Sequence, residues 1–485
     1  MAQRLAKVQE LRAEGMDPYP IRTTRTHTAE EITRLVEALP EGVHEVAGVE
    51  ADVVGRVVAK RDMGKATFID LQDGSGRIQV LIRQNAIENY DSLRLIDLGD
   101  FVGAHGTPIR TRTGQPTVQA TGWTMLTKSL HAPPEKFHGL ADPEIKQRRR
   151  YLDLMANEET RRTFTIRSKV IAGIRRFLDS RGFLEVETPI LHQSESGAAA
   201  KPFLTHFNAI DEDRVLRISL ELHLKRLIIG GFERVYEMGR NFRNEGMSFK
   251  HNPEFTMIET YEAYADYLQV AEMVEQMVGT VALDVLGTTK VSFRDHEIDL
   301  APPWRRVTFL DAMREYGGPD LEEFSTADAL REELRRRGVE APANAGFGKL
   351  ADEAMSHYIE PNLIQPTFLL DYPVELSPLA KRKPGHDRLV ERFECFVAGF
   401  EFGNAYSELN DPMEQRARFE EQLALQAAGD EEVELVDEDF LFALEHGMPP
   451  TGGFGMGIDR LIMLLTGQSS IREVILFPPM KTLKE

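Results

Sequence analysis

Cysteine is almost missing from this chain of 485 residues: Cys395 stands alone, which excludes an intrachain disulfide and suits a reducing compartment. Long apolar runs are missing too. The amino-terminal stretch MAQRLAKVQELRAEG mixes charge into helical periodicity, so it offers neither a signal-peptide core nor a membrane span, and a cytoplasmic protein with no membrane partner is expected. Basic residues are in deficit, 58 Lys+Arg against 78 Asp+Glu for a net charge of −20, which argues against nonspecific binding of nucleic acid. Two nucleotide fingerprints are also absent: no G-x-x-x-x-G-K-[ST] loop occurs, and no G-x-G-x-x-G turn joins a strand to a helix. The length and the 42% hydrophobic content nevertheless suffice for more than one core.

Charge is unevenly spread. Residues 51 to 150 hold 15 Lys+Arg against 11 Asp+Glu, so a nucleic acid would meet the amino-terminal part first. Residues 3 to 15 read as a short amphipathic helix stopped at Gly15 and Pro18, and 28 to 38 as another, giving a helical extension over 1–45. Over 46–126 the pattern becomes five or so short alternating strands with turn signals, which suits an OB-fold barrel. In the hairpin turned by Asp73, Gly74, Ser75 and Gly76, Ile69, Leu71, Ile78, Val80 and Ile82 form the core face. Phe68, Arg77 and Gln79 fall on the other face, a platform for stacking and reading single-stranded bases. A surface phenylalanine covered by a loop is the alternative. Residues 127–150 lack sustained periodicity and read as a linker, leaving 151–485 as the second domain.

Within that domain, residues 235 to 267 run from an apolar strand through a loop dense in Arg, Glu, His and Asn into a second strand. Arg243 and Glu245 lie two apart and share a face if the segment is extended, a cation for phosphate beside an acceptor for a base. Pro253 biases Asn252 to an extended conformation. The return strand puts Phe255, Met257, Glu259 and Tyr261 on one face, as a ligand floor would. On this stretch alone, a solvated charged hairpin stays open. The segment GMPPTGGFGMGIDRLIMLL adds Gly453, Gly455 and Gly457 at alternate positions, then a helix from about Asp459 with Arg460 in its first turn. Alternate glycines clear one strand face for a flat ligand.

Paired with F-R-x-E at 242–245, that glycine-rich segment resembles motifs 2 and 3 of the class II aminoacyl-tRNA synthetases. The helix expected at 164–181, with Ile166, Val170, Ile171, Ile174, Phe177 and Leu178 on one stripe, followed by a strand FLEVETPIL, resembles motif 1, which in that class builds the dimer interface. The segments SESGAAAKPFLTHFNAIDEDRVLRISLELHLKRLIIGGFERVYEMGRNFRNEG, HNPEFTMIETYEAYADY and FVAGFEFGNAYSELNDP narrow the resemblance to the bacterial lysyl-tRNA synthetases over nearly the whole chain. The resemblance implies an α+β fold: an OB barrel for the anticodon, then a catalytic domain with an antiparallel sheet flanked by helices, assembled as a homodimer.

The resemblance also implies roles. Arg243 and Arg460 are the catalytic cations, Arg243 on the ATP α-phosphate and the substrate carboxylate. Glu245 accepts from the adenine amino group, Phe255 and Arg460 sandwich the ring, and His251 and Asn252 reach the outer phosphates. Glu394 and Glu401 hold Mg²⁺, with Glu394 also in the ATP site. L-lysine is met by Glu221, Glu259, Tyr261, Asn404, Tyr406, Glu408 and Gly457, with Gly197 and Ala198 on the backbone side. Glu408 with Tyr261 is assigned to the side-chain ammonium and Glu221 to the α-amino group, since a buried ammonium needs carboxylates. Ser196 and Tyr406 depart from the family pattern of Gly and Phe. The implied reaction is ATP-dependent formation of lysyl-adenylate with release of pyrophosphate, then transfer to the 3′ end of tRNA(Lys). A lysylating enzyme with another acceptor and a noncatalytic RNA-binding relict are the competing readings; the basic barrel opposes the first, and intact Arg243, Glu394, Glu401 and Arg460 oppose the second.

Overall fold

The computed structural model describes residues 1–134, 142–193, 200–427 and 436–482. The chain divides into two compact units, Met1–Asp142 with Tyr151–Ala156, and Pro143–Arg150 with Asn157–Glu485.

In the first unit the strands Ala51–Met63, Ala66–Gln72, Arg77–Arg83, Phe101–Arg110 and Pro116–Thr127 close into a barrel, the fourth pairing back onto the first. Alternation places Ile69, Leu71, Ile78, Val80 and Ile82 inside, all buried, as the sequence predicts. Phe68 is half-buried on the outer face and pairs across the hairpin with Leu81, which is buried as well. The barrel bends where the fourth strand bulges at His105/Gly106. A Cβ at Gly106 would lie 2.1 Å from the Gln119 carbonyl oxygen, so only glycine fits. The hairpin turn is fixed by Asp73, whose Oδ1 accepts from the Ser75 amide at 2.8 Å and the Gly76 amide at 3.0 Å. Its Oδ2 accepts from the Ala29 amide at 2.9 Å, so one carboxylate closes the turn and satisfies the start of the helix Ala29–Glu37. Thr28 and Glu31 complete that helix start as a capping box. The first helix runs Ala2–Ala13.

The second unit is built on an eight-stranded sheet in the order Arg305–Thr308, Thr367–Pro373, Leu389–Val397, Phe400–Ser407, Thr451–Gly457, Glu254–Ala263, Arg234–Phe242, Leu184–Glu185. All neighbours are antiparallel except the pair at each edge. One face packs on the helices Glu158–Ser180 and Tyr267–Leu286 through Ile166, Val170, Ile174, Leu178, Val274, Met277 and Val281. Tyr267–Leu286 is capped by Asp266, whose side chain accepts from the Leu268 and Gln269 amides, and ends on left-handed Gly287. The fold is α+β, as expected.

Three sequence expectations shift. The helix expected at 164–181 begins at Glu158, capped by Asn157; its first turns carry charges that hide the apolar period. FLEVETPIL is not one strand: only Leu184–Glu185 and Leu191–His192 pair, while Leu184, Ile190 and Leu191 are exposed. Apolar alternation there reflects a surface, not a buried strand. The stretch 127–150 contains a helix, Pro143–Arg148, whose Gln147 donates to Glu473 Oε1 at 3.1 Å, and Arg150 beyond it is fully buried against the carbonyls of Arg472 and Leu476. Residues 143–150 are therefore part of the second unit, tied down by polar contacts that periodicity does not register.

Candidate active site

The site lies on the sheet face turned away from the two long helices. In an antiparallel sheet, residues directly opposite share a face. Glu259, Gly455, Asn404 and Glu394 stand in register across four neighbouring strands, and Tyr261, Gly453, Tyr406 and Arg392 form the adjacent row. The residues of opposite parity, Ile258, Phe454, Met456, Ala405, Phe393 and Cys395, are buried in the core behind. Strand alternation thus turns four separate sequence segments into one floor. Its middle must be bare. A Cβ at Gly453 would stand 1.9 Å from Glu408 Oε1 and 2.7 Å from Tyr261, and at Gly455 3.3 Å from Met257 Cε, whereas at Gly457 the nearest atom is 3.6 Å away.

Two cavities open on this floor, of about 440 Å³ and about 210 Å³, sharing Arg243, Met257, Asn404 and Gly455. Glu221, Glu259, Tyr261, Tyr406 and Glu408 line the larger. Glu245, His251, Asn252, Phe255, Glu401 and Arg460 line the smaller. Gly457, expected with the residues of the larger cavity, lines the smaller one with Arg460, because it closes the strand two residues beyond Gly455. Glu394 reaches the wall of neither; it sits behind Arg392 and Tyr372, accepting from Tyr372 Oη at 2.8 Å and from Arg392. Gly197 and Ala198, with Ser196, lie outside the described residues. Arg243 and Glu245 share a cavity, though not through an extended backbone: the Glu245 amide donates to the Arg243 carbonyl at 2.9 Å, a tight turn.

The larger cavity is rich in buried carboxyl groups. Glu259 accepts from the Leu220 amide at 3.2 Å and from Tyr261 Oη at 3.1 Å. Burial, reinforced by Glu221, pushes its pKa up to about 7. Glu408, 1% exposed, meets Lys225 Nζ at 2.5 Å from Oε2, while Oε1 has no protein donor among the described residues. Burial pushes Glu408 up to about 8, against the pull of Lys225 and with a push from Glu221 and Glu259. Such a group is a receptor for a cation, since an ammonium would both donate to the bare oxygen and favour the ionised form.

Cations dominate the smaller cavity. Arg460 Nη1 donates to the Glu401 carbonyl at 2.9 Å and also holds the Glu401 carboxylate. Burial pushes Glu401 up, but Arg460 overrides it and the pKa ends below the usual range. Arg243 lies 5.4 Å from the Phe255 ring centre and donates to the Ile218 carbonyl at 3.3 Å. The His251 pKa is lowered by desolvation and by Arg460 and Lys250. Asp459 fixes the helix that carries Arg460: it accepts from Arg167 at 2.6 Å and from the Thr256 amide at 2.7 Å.

Sequence reasoning missed Lys225 and Arg392. Lys225 stands four residues after Glu221, the spacing of an ordinary surface helix pair, yet it is fully buried. Arg392 is two residues before Glu394 on one strand and so faces the same way; it lies 4.7 Å from the Tyr372 ring centre and 5.6 Å from that of Tyr406. No helix among the described residues is long and apolar enough to cross a membrane.

Residues 51–126 match the family described as OB-fold nucleic acid binding domain, and residues 142–481 match tRNA synthetases class II (D, K and N). A lysine–tRNA ligase of Dehalococcoides mccartyi is 51% identical over 99% of this chain and 97% of its own. Those of Moorella thermoacetica, 50% identical over 100% and 98%, and Halalkalibacterium halodurans, 48% over 99% and 96%, are similar along the same length. On these matches along nearly its whole length, the chain belongs to the lysine–tRNA ligase family of class II tRNA synthetases.

Proposed function

We propose that this chain joins L-lysine to tRNA(Lys) in two steps, activating lysine with ATP in the paired cavities and passing it to the tRNA 3′ end. The observation that carries the lysine assignment is Glu408, a buried carboxylate with one oxygen lacking a donor, standing beside Glu259 and Tyr261 at the end of the larger cavity. An aspartate- or asparagine-binding site has no use for three carboxylates there; two ammonium groups do.

Arg243 lines both cavities, so one guanidinium meets the lysine carboxylate and the ATP α-phosphate. A carboxylate oxygen attacks the α-phosphorus, the bond to the β-phosphate bridge breaks, and pyrophosphate leaves. Arg243 offsets charge that grows on the phosphorus oxygens, and positioning does the rest. The tRNA ribose hydroxyl then attacks the adenylate carbonyl carbon and AMP departs. Phe255 and Arg460 hold the adenine faces, Glu245 its amino group, and His251 and Asn252 the outer phosphates; no side chain is required as a general base. Glu394 and Glu401 would offer carboxylate oxygens to a hard divalent cation: burial together with Glu401 and Asp352 pushes the enclosed Glu394 up to about 7 against Arg392, and the part-exposed Glu401 opens on the smaller cavity beside Arg460. Bound Mg²⁺ supplies charge neutralisation for the phosphates.

Phe68, Arg77 and Gln79 serve the anticodon. Gln79 Oε1 accepts from Thr117 Oγ1 at 3.0 Å, which orients its amide, and Phe68 shows part of its ring outside the barrel. The working form is a homodimer, for which the exposed Leu184, Ile190, Leu191, Leu204, Phe207 and Ile210 supply an apolar face. The compartment is the cytoplasm, in keeping with a single buried thiol. The test is ATP–pyrophosphate exchange with each amino acid in turn, without tRNA. Exchange that needs lysine and Mg²⁺ is expected, and exchange with aspartate or asparagine but not lysine overturns the assignment.

A further inference from the structure

Lys225 lies behind the wall of the larger cavity, in contact with two of its carboxylates, and substrate binding alone does not account for it. It stands one helical turn after Glu221, and its Nζ lies 2.6 Å from Glu221 Oε1 and 2.5 Å from Glu408 Oε2. The side chain is wholly enclosed, with the Phe440 ring centre 5.9 Å from Nζ. A lysine sealed into a pocket meant for lysine looks like a competitor. Counting charge gives it another role. Within the cluster around Lys225, apart from the other charged residues that line the cavity, Glu221, Glu259 and Glu408 bring three negative charges and Lys225 one positive, leaving two. The substrate brings two ammonium groups, and its carboxylate is met by Arg243.

We propose that Lys225 is a positioning and specificity-determining residue: it sets the net charge of the Glu221, Glu259 and Glu408 cluster to match a diamino acid and, bridging Glu221 and Glu408, fixes where each can take one ammonium. This rests on lysine being the substrate. Three carboxyl groups enclosed together without a cation would keep protons, and a protonated carboxyl is a poor partner for an ammonium. Glu408 faces Lys225 and Glu221 from the helix and Glu259 with Tyr261 from the strand; Glu259 faces Glu221, Tyr261 and Arg243. Of these only Lys225 pulls Glu408 toward its ionised form. Even so, Glu408 and Glu259 remain high, at about 8 and about 7, so near neutral pH the entering lysine must displace protons. The sign follows: these carboxyl groups are protonated below their raised pKa values, so affinity for lysine falls as pH falls from 8 to 6.

The test measures exchange kinetics of Lys225→Met and Lys225→Gln against wild type from pH 6 to 9, and proton release on lysine binding to the wild-type enzyme by calorimetry in buffers of different ionisation enthalpy. The expected result is a lysine KM at pH 7 raised at least ~10-fold, the equivalent of one pKa unit, with kcat falling less and the KM for ATP unchanged. The pH at which the lysine KM levels off moves upward in the variants. Wild-type binding releases protons at pH 7 and fewer at pH 8.5, a readout that stands even where the variants fail to fold. A folded variant with wild-type KM, or with KM raised equally at every pH, overturns the proposal, as does proton-neutral binding to wild type at pH 7. Wild-type enzyme without lysine-dependent exchange removes the substrate reading and this inference together, whereas normal wild-type exchange with an unshifted variant profile removes this inference alone.

Discussion

The two cavities share a wall and differ in what they lack. In the larger, burial drives Glu259 and Glu408 up to about 7 and about 8; in the smaller, the Glu401 side chain is 31% exposed and paired with Arg460, which holds it below the usual range. The same type of side chain titrates in opposite directions because the carboxyl groups of the larger cavity are sealed and short of positive charge, whereas Glu401 keeps some water and has Arg460 beside it. The two signs agree with the ligands proposed for each: a cation in the first, polyanionic phosphate in the second. A chain with net charge −20 can still bind ATP because the local arrangement, not the total, decides.

Removing the shared wall gives the largest effect. Arg243→Ala should lower kcat/KM for exchange by at least ~10³-fold, about 4 kcal/mol of lost stabilisation of developing charge, while the oligomer on a sizing column stays the same, since Arg243 faces the cavities. Near-normal exchange would take Arg243 out of the mechanism. Next, Glu408→Gln should raise the lysine KM by about 2 to 3 kcal/mol, the worth of a charge-assisted hydrogen bond, and spare the KM for ATP. Equal effects on both would mean that the cavities do not divide the substrates as argued. A change remote from both cavities serves as the control: Phe68→Ala should weaken tRNA charging by ~1 to 3 kcal/mol, the usual worth of a base stacked on an aromatic ring, with exchange untouched and melting little changed. Early melting with a normal KM for tRNA would make Phe68 structural.

The smallest effect sharpens the comparison through stability. The folded pKa of Glu259 lies above its unfolded value, so the folded state holds its proton longer and loses stability as pH rises from 4.5 to about 7. Glu259→Gln should therefore gain on the order of ~1 kcal/mol over wild type at pH 8 and nothing at pH 4.5, as read by denaturant unfolding. A gain that is the same at both values would show that Glu259 is not held protonated.

Much of this was legible from alternation. Phe255, Met257, Glu259 and Tyr261 sit where period two puts them, and the faces of the Ala66–Arg83 hairpin fall as expected, because a strand half in a core must repeat every second residue. What alternation does not carry is burial of charge. Glu221 and Lys225 at four-residue spacing read like a solvated helix pair, and only the helix's packing against the strands Arg234–Phe242 and Glu254–Ala263, with Glu408 just past the end of Phe400–Ser407 reaching Lys225, encloses the lysine. Arg150 was lost in an apparent linker for the same reason: its partners are carbonyls more than three hundred residues away. Exposed apolar residues mislead in the opposite direction, as in FLEVETPIL, where a surface imitates a core strand.

The bareness of Gly453 has a consequence for how this pocket can change over generations. Any side chain there would run into Glu408 and Tyr261, the two groups assigned to the substrate ammonium, with no flexible tip able to give way on the Tyr261 side. Every single-step substitution at position 453 thus removes the old specificity before a new one exists. A lineage leaving lysine for another amino acid has to alter both Glu408 and Tyr261 first, passing through an enzyme of poor affinity, and only then gain a methyl group at 453. The order of mutations is fixed by two ångströms of missing space.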